Sequence, residues 1–219
     1  MKILISAKEL LDNFDRYTII DLRSKQEYSI AHIEGAVSLP AGDAPFKTGA
    51  ELVAGAGWAA ALGRCGITRN TGLVVYDDGA SGRAVARFWY AAKHYGHEDV
   101  LILNGGFGAA AGILSISADV PEITPAIYTT EVTPGYILDL DGVLANYDRA
   151  TFLDVRSPEE FMGSDLRGNP RGGHIRDAVL AVMDNFFADE PGQSFANPMK
   201  LAQAVNNLGV SKEDFIVTY

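Results

Sequence analysis

The sequence predicts an α/β fold built from two related units, each a parallel sheet covered by helices on both faces, the second unit incomplete. Three observations predict it. Short β-branched apolar runs alternate with stretches of helical period. Several blocks recur in the same order along the chain. The second copy also stops at Tyr219, the match of Tyr76, where the first copy runs on into a Gly-rich loop.

The elements of the first unit read in order. Ser6 is an N-cap with Glu9 three residues later, ahead of Leu10, Leu11 and Phe14 at helical spacing. Tyr17–Leu22 is an apolar run of buried-strand type. Ala36–Leu39 is a second short strand, stopped by Pro40. Residues 51–64 form a helix that Gly66 caps, and Leu73–Tyr76 is the next buried strand. A helix over 82–95 turns Ala84, Val85, Phe88 and Trp89 inward, Val100–Leu103 is the last strand, and Asn104-Gly105-Gly106 turns the chain.

The repeat then places the second unit. Asp21–Tyr28 matches Asp154–Phe161, 133 residues on, and the same offset pairs Asn13 with Asn146. His32–Val37 matches His174–Val179 at an offset of 142, so the second copy carries a nine-residue insertion. Domains are expected at 1–117 and 131–219, joined by a linker over 118–130 that holds Pro121 and Pro125 and shows no period.

Composition narrows the partners. A formal charge of −10 argues against nucleic acid and anionic membrane surfaces. No apolar stretch reaches the ~18 residues that span a bilayer, and the apolar run at the amino end is too short for a secretory signal. One cysteine, Cys65, allows no intrachain disulfide. A cytoplasmic location is the expectation, with no membrane partner.

Asp-x-Arg-Ser after a buried strand, His-Ile-x-Gly-Ala-Val before the next, and Leu-Val-Val-Tyr-Asp opening a loop resemble a tandem rhodanese, the family of thiosulfate and 3-mercaptopyruvate sulfurtransferases. Asn104-Gly105-Gly106-Phe107 resembles that family's Asp-Gly-Gly turn. The resemblance implies a cysteine persulfide, a small anionic sulfur donor, a thiol or cyanide acceptor, and no cofactor or metal. It also places the active site in the second half, where the central strand ends in a Cys that opens a six-residue loop. A thiolate must take up and hand on the sulfur, and backbone N–H groups at a helix start favour that thiolate.

By the pairing with Tyr76, the cysteine is expected directly after Tyr219, so this chain is expected to be inactive by itself. In the first half Asp77 stands at the cysteine position, followed by Asp78, Gly79, Ala80, Ser81, Gly82 and Arg83. A carboxylate forms no persulfide, so this degenerate loop is expected to be structural, tying the helix to the sheet.

Arg156, Arg167, Arg171 and Arg176 are the candidate substrate-binding residues. Arg167 and Arg171 lie in the insertion, where the family places substrate arginines, and forked hydrogen bonds suit sulfonate or carboxylate. Arg23 and Arg156 each follow a strand-ending Asp and equally suit a loop-bracing network. Glu160 occupies a position where related enzymes tend to carry arginine, which leaves the donor open.

Cys65 aligns with Leu208 and reads as a small buried hydrophobe. His32 and His174 match each other, and neither they nor His94 and His97 have metal-ligand spacing. Asp139-Leu140-Asp141 looks like the first motif of a haloacid-dehalogenase-type phosphatase, but its counterpart Leu4–Leu11 reads as a cap and first helix. The alternative to a sulfurtransferase is a non-catalytic rhodanese-like module that binds a protein partner.

Overall fold

The computed structural model describes residues 2–41, 54–79, 82–188 and 195–219. By its internal contacts the chain divides into two units, the first running to Ile137 and the second beginning at Leu138.

The first unit opens with β1 (Leu4–Ile5) and α1 (Ala7–Leu11). Ser6 and Glu9 form the expected capping box, which satisfies two of the helix's orphan donors. β2 (Thr18–Asp21) follows, then α2 (Lys25–Ile30), where Ser24 and Glu27 repeat the capping box. β3 (His32–Ile33), β4 (Val37–Ser38), α3 (Gly55–Arg64) and β5 (Leu73–Tyr76) come next. Residues 51–53 of the expected 51–64 helix lie outside the described residues. The unit continues through α4 (Arg83–His94), β6 (Val100–Leu103), α5 (Gly106–Ala110) and β7 (Ile116–Ser117).

Five strands form one parallel sheet in the order β1-β6-β5-β2-β4. β5 is buried at every position because helices cover both faces. One face packs Ile19, Val74, Tyr76, Leu101 and Leu103 against Leu10, Ile33 and Ala110. On α3 and α4, fully buried Trp58 and Phe88 meet with ring centroids 5.1 Å apart. Three strands of the first unit, β1, β3 and β7, escape the sequence reading. β1 hides directly before the Ser6 cap, and β7 pairs antiparallel with β3 in a two-residue ribbon.

The expected linker, 118–130, holds neither helix nor strand, yet it is packed onto the first unit. The Ala126 N–H donates to Gly63 O at 2.9 Å, Glu131 N–H to Tyr95 O at 3.2 Å, and Thr133 N–H to His94 O at 2.7 Å. Gly63 is required there: a Cβ on it would lie 2.6 Å from Ala126 O. Fully buried His97 donates from Nε2 to Thr71 O at 2.8 Å and accepts the Tyr128 hydroxyl at Nδ1, 3.1 Å away. Burial pushes its imidazole pKa down.

The second unit comprises α6 (Leu140–Ala145), β8 (Ala150–Asp154), α7 (Pro158–Met162), β9 (Val179–Leu180), α8 (Pro198–Asn207) and β10 (Phe215–Thr218). Its sheet is parallel in the order β10-β8-β9, matching β5-β2-β4 of the first unit. Leu153, Ala181 and Val210 form its small core. The Asp139 side chain caps α6 by accepting from Gly142 N–H at 2.8 Å, so the Asp-Leu-Asp segment starts a helix and is no strand-to-loop nucleophile turn. Among the described residues no helix is long and apolar enough to cross a membrane.

Phe88→Ala should destabilise the first unit by about 3–5 kcal/mol through lost burial and a residual cavity. Met199→Ala, at a position 78% exposed, should stay within about 0.5 kcal/mol. Urea unfolding of the two variants checks the pair.

Candidate functional site

The carboxyl edge of the first sheet is organised by one buried carboxylate. Asp21 ends β2 with no solvent exposure. The Arg23 guanidinium meets it as a fork, Nε 3.0 Å from Oδ1 and Nη2 2.6 Å from Oδ2. The Tyr76 hydroxyl, at the end of β5, donates to Oδ2 at 2.5 Å and accepts Ile33 N–H at 3.2 Å. Arg23 Nη2 also donates to Ala31 O at 2.7 Å, and Phe107 covers the guanidinium at 3.8 Å. Burial and the Asp21 charge push the Tyr76 phenol far up, so it stays a neutral donor. Burial opposes the Arg23 charge, but hydrogen bonding to Asp21 wins and raises its pKa.

The second unit repeats the arginine fork and the tyrosine of this cluster. Fully buried Asp154 receives Arg156 Nε at 2.9 Å and Nη2 at 2.6 Å, and Nη2 reaches Gly173 O at 2.9 Å. Ile175 N–H donates to the Tyr219 hydroxyl at 3.0 Å. His174 stacks on Phe161 at 3.6 Å as His32 stacks on Tyr28 at 3.8 Å. Burial pushes the Asp154 pKa up, but Arg156, its backbone N–H and Tyr219 overcome this and hold it below the usual value.

The copies differ in cover. The Arg23 side chain is 6% exposed, the Arg156 side chain 31%. Among the described residues, Tyr219 is the one ring beneath the Arg156 guanidinium. A cleft of about 330 Å³ opens there, lined by Arg156, Gly172, Gly173, His174, Ile175 and Tyr219. Of these, the sequence reading gave only Arg156 as a substrate-binding candidate. The pairing of His174 with His32 and of Tyr219 with Tyr76 was the signal that leads to the rest.

The first-unit loop carries a different load. Asp77, 6% exposed, accepts Gly79 N–H at 2.9 Å and takes Phe107 N–H on its carbonyl at 2.9 Å. A Cβ on Gly106 would lie 2.5 Å from Asp77 O, and one on Gly79 would collide with Gly105 O. The loop is therefore interlocked with the turn after β6. Burial pushes the Asp77 carboxyl pKa up against the Gly79 N–H. Ala80 and Ser81 lie outside the described residues, Asp78 and Arg83 are exposed, and Gly82 precedes α4 in a left-handed conformation.

The insertion's arginines do not converge on the cleft as a group. Arg167 Nε sits 3.0 Å from Asp165 Oδ2 and 3.6 Å from Glu160 Oε2, on a backbone with φ +46°. Glu160 also closes the capping box of α7 with Ser157. Arg171, exposed, directly precedes the Gly172 wall of the cleft, while exposed Arg176 offers its carbonyl to Tyr147 OH at 3.2 Å. Cys65 is buried at the C-cap of α3, matching Leu208 at the C-cap of α8, and burial pushes its thiol pKa up. Among the described residues no group of three His, Cys, Asp or Glu is placed to hold a metal ion.

Tyr76→Phe leaves a buried Asp21 oxygen and the Ile33 N–H short of a partner, and should cost about 1–3 kcal/mol in urea unfolding. Because the Asp154 pKa is lowered by folding, its contribution is present above the unfolded aspartate value and is lost as pH falls through the folded one. Acid titration of second-unit stability should show this loss, and Asp154→Asn should remove it.

Comparison with known proteins agrees with this architecture. Residues 6–111 match the rhodanese-like domain family. The chain is 34% identical over 166 residues to a thiosulfate sulfurtransferase of Corynebacterium glutamicum, covering 69% of this chain and 55% of that protein. It is 30% identical over 134 residues to the 3-mercaptopyruvate sulfurtransferase of Mus musculus, covering 58% and 45%. The crystal structure of SseA from Escherichia coli, a 3-mercaptopyruvate sulfurtransferase, superposes with TM-score 0.84 at 23% identity, covering 100% of this chain and 88% of that one. The chain spans about half the length of the curated relatives it matches. It carries a rhodanese-like domain of α/β fold, and its relatives are the thiosulfate and 3-mercaptopyruvate sulfurtransferases.

Proposed function

We propose that this chain serves sulfur transfer of the thiosulfate or 3-mercaptopyruvate type, with the donor site in the second unit and the first unit as a structural partner. One observation carries the reading. The Asp–Arg–Tyr cluster exists twice, closed over by Phe107 and an Asp77 loop in one copy and open to a cleft in the other.

In the reaction, a thiolate attacks the transferable sulfur of the donor. With thiosulfate the S–S bond breaks and sulfite leaves. With 3-mercaptopyruvate the C–S bond breaks and pyruvate leaves, as its enolate before protonation. The resulting persulfide then yields its terminal sulfur to cyanide or a thiol, and the thiolate is restored. The position equivalent to Asp77 in the second unit is the one that follows Tyr219. A Cys there would stand beside Arg156 and the 172–175 backbone, where an anionic donor meets N–H groups and a guanidinium. Arg171, at the cleft wall, is the cation of the insertion best placed to orient the donor. Arg167 is already engaged by Asp165 and Glu160.

Within the 219 residues the only thiol is Cys65. Its burial and raised pKa oppose both thiolate formation and access. This chain by itself should therefore form no thiocyanate from thiosulfate and cyanide above the uncatalysed blank. Turnover that disappears in Cys65→Ser would overturn this. A reading frame that continues past Tyr219 with Cys and a Gly-containing loop supports the sulfurtransferase. A stop codon there favours the protein-binding module, a reading that the Asp77 loop already favours for the first unit.

Donor binding separates the arginines. Titrating 3-mercaptopyruvate into the chain by NMR should shift amides of 172–175. Arg171→Ala should weaken that binding by about tenfold, the loss of one charge-assisted hydrogen bond. Arg167→Ala should change it by less than about threefold, since an exposed pair is worth little.

A further inference from the structure

The second unit has another concavity, which shares no lining residue with the Arg156 cleft. It lies between the short helical turn Met183–Phe186 and α8, and its volume of about 450 Å³ is that of a ligand site. Its apolar lining is Leu180, Ala181, Phe186 and Leu208, the last three packed in or against the unit's small core. The walls are held in place. Ala196 N–H donates to Phe186 O at 3.0 Å and Lys200 Nζ to Phe187 O at 3.3 Å, tying the turn to the start of α8. Ala181 N–H donates to Asp154 O at 2.8 Å, which fixes the base of the groove to the central strand.

Three carboxamides, Asn185, Gln203 and Asn207, complete the lining, and none of their side chains hydrogen-bonds another described residue. Each offers two N–H donors and an acceptor oxygen. The pairing of Cys65 with Leu208 sets Ala60 and Arg64 of α3 opposite Gln203 and Asn207, so the two helix amides are particular to the second unit. Lys200 is the one ionisable residue in the lining, although the chain carries a net charge of −10. The groove therefore suits a neutral or acidic occupant and disfavours a basic one less than the rest of the surface attracts it.

Spacing selects the kind of occupant. Gln203 and Asn207 stand one helical step of four residues apart, a rise of about 6 Å. Alternate residues of an extended chain repeat at roughly 6.6 Å. From Lys200 to Asn207 the helix rises about 10 Å, the length of three extended residues. Alternate peptide units of a strand lying along α8 thus meet Gln203 and Asn207 in turn, while the side chain between them turns to the apolar lining. A small amide satisfies one carboxamide; a chain with a repeat satisfies the series.

We propose that this groove is a docking site for an extended, neutral or acidic segment of a partner protein. Asn185, Gln203 and Asn207 hydrogen-bond its backbone, and one of its apolar side chains seats against Phe186 and Leu208. Docking there does not require sulfur transfer, because the groove and the Arg156 cleft have no residue in common.

The test titrates the 219-residue chain with a blocked pentapeptide of alternating leucine and serine, followed by NMR. The side-chain NH2 signals of Asn185, Gln203 and Asn207 should shift together, with backbone amides of 180–187 and 200–208. The same peptide with methylated backbone nitrogens keeps its side chains but loses its donors, and should bind about tenfold more weakly, the loss of one to two hydrogen bonds. Gln203→Leu and Asn207→Leu, both at exposed positions, should each weaken binding by about fivefold. Met199→Ala, outside the groove and 78% exposed, should leave binding unchanged. Equal binding of the methylated peptide, equal shifts with N-methylacetamide at the same amide concentration, or shifts confined to β10 overturn the proposal. Absence of any shift at millimolar peptide overturns it as well.

Discussion

Each unit is built around a carboxylate that cannot reach water. Asp21 and Asp154 end the central strand of their sheets fully buried, where an isolated charge would be prohibitive. The fork of an arginine and the hydroxyl of a strand-end tyrosine make the arrangement tolerable. In doing so they tie together elements far apart in sequence: the end of β2 or β8, the end of β5 or β10, and the backbone that enters the His-Ile segment. The edge of each sheet thus has a rigid floor. The chemistry that α/β proteins place at such edges needs that floor before it needs a nucleophile.

The same floor serves two ends. In the first unit Phe107 lies on the guanidinium, and the Asp77 loop locks into the Gly105-Gly106 turn with no room for a methyl group. In the second the guanidinium looks into an open cleft. The interlocked loop and turn hold the buried Asp77 acid in place in the first unit. The Asp77 carboxylate accepts the Gly79 N–H, so the loop satisfies its own donor from within.

Much of this was legible in the residues. The Ser6/Glu9 pair located a helix start, and the ordered blocks revealed the duplication before any strand was placed. Asp-x-Arg was readable as a loop brace because it occurs twice. What escaped reading depended on partners distant in sequence. β1 is two residues long and abuts a strong helix signal, so its pairing with β6 leaves no period to detect. The engagement of Arg167 by Asp165 and Glu160 depends on an unusual backbone conformation that composition does not announce. The linker's lack of period suggested slack, because extended chain that borrows hydrogen bonds from glycine and loop carbonyls has no pattern of its own.

That borrowed order changes how the connecting segment should be regarded. Surface connections ordinarily absorb insertions with little consequence, since closure entropy grows slowly with length. Here Ala126 faces Gly63, Tyr128 meets His97 and Glu131 reaches Tyr95, each at a fixed residue spacing. The stretch behaves as a ruler with engraved marks. One added residue would put every later mark out of step, so its length should drift far less than that of an ordinary loop.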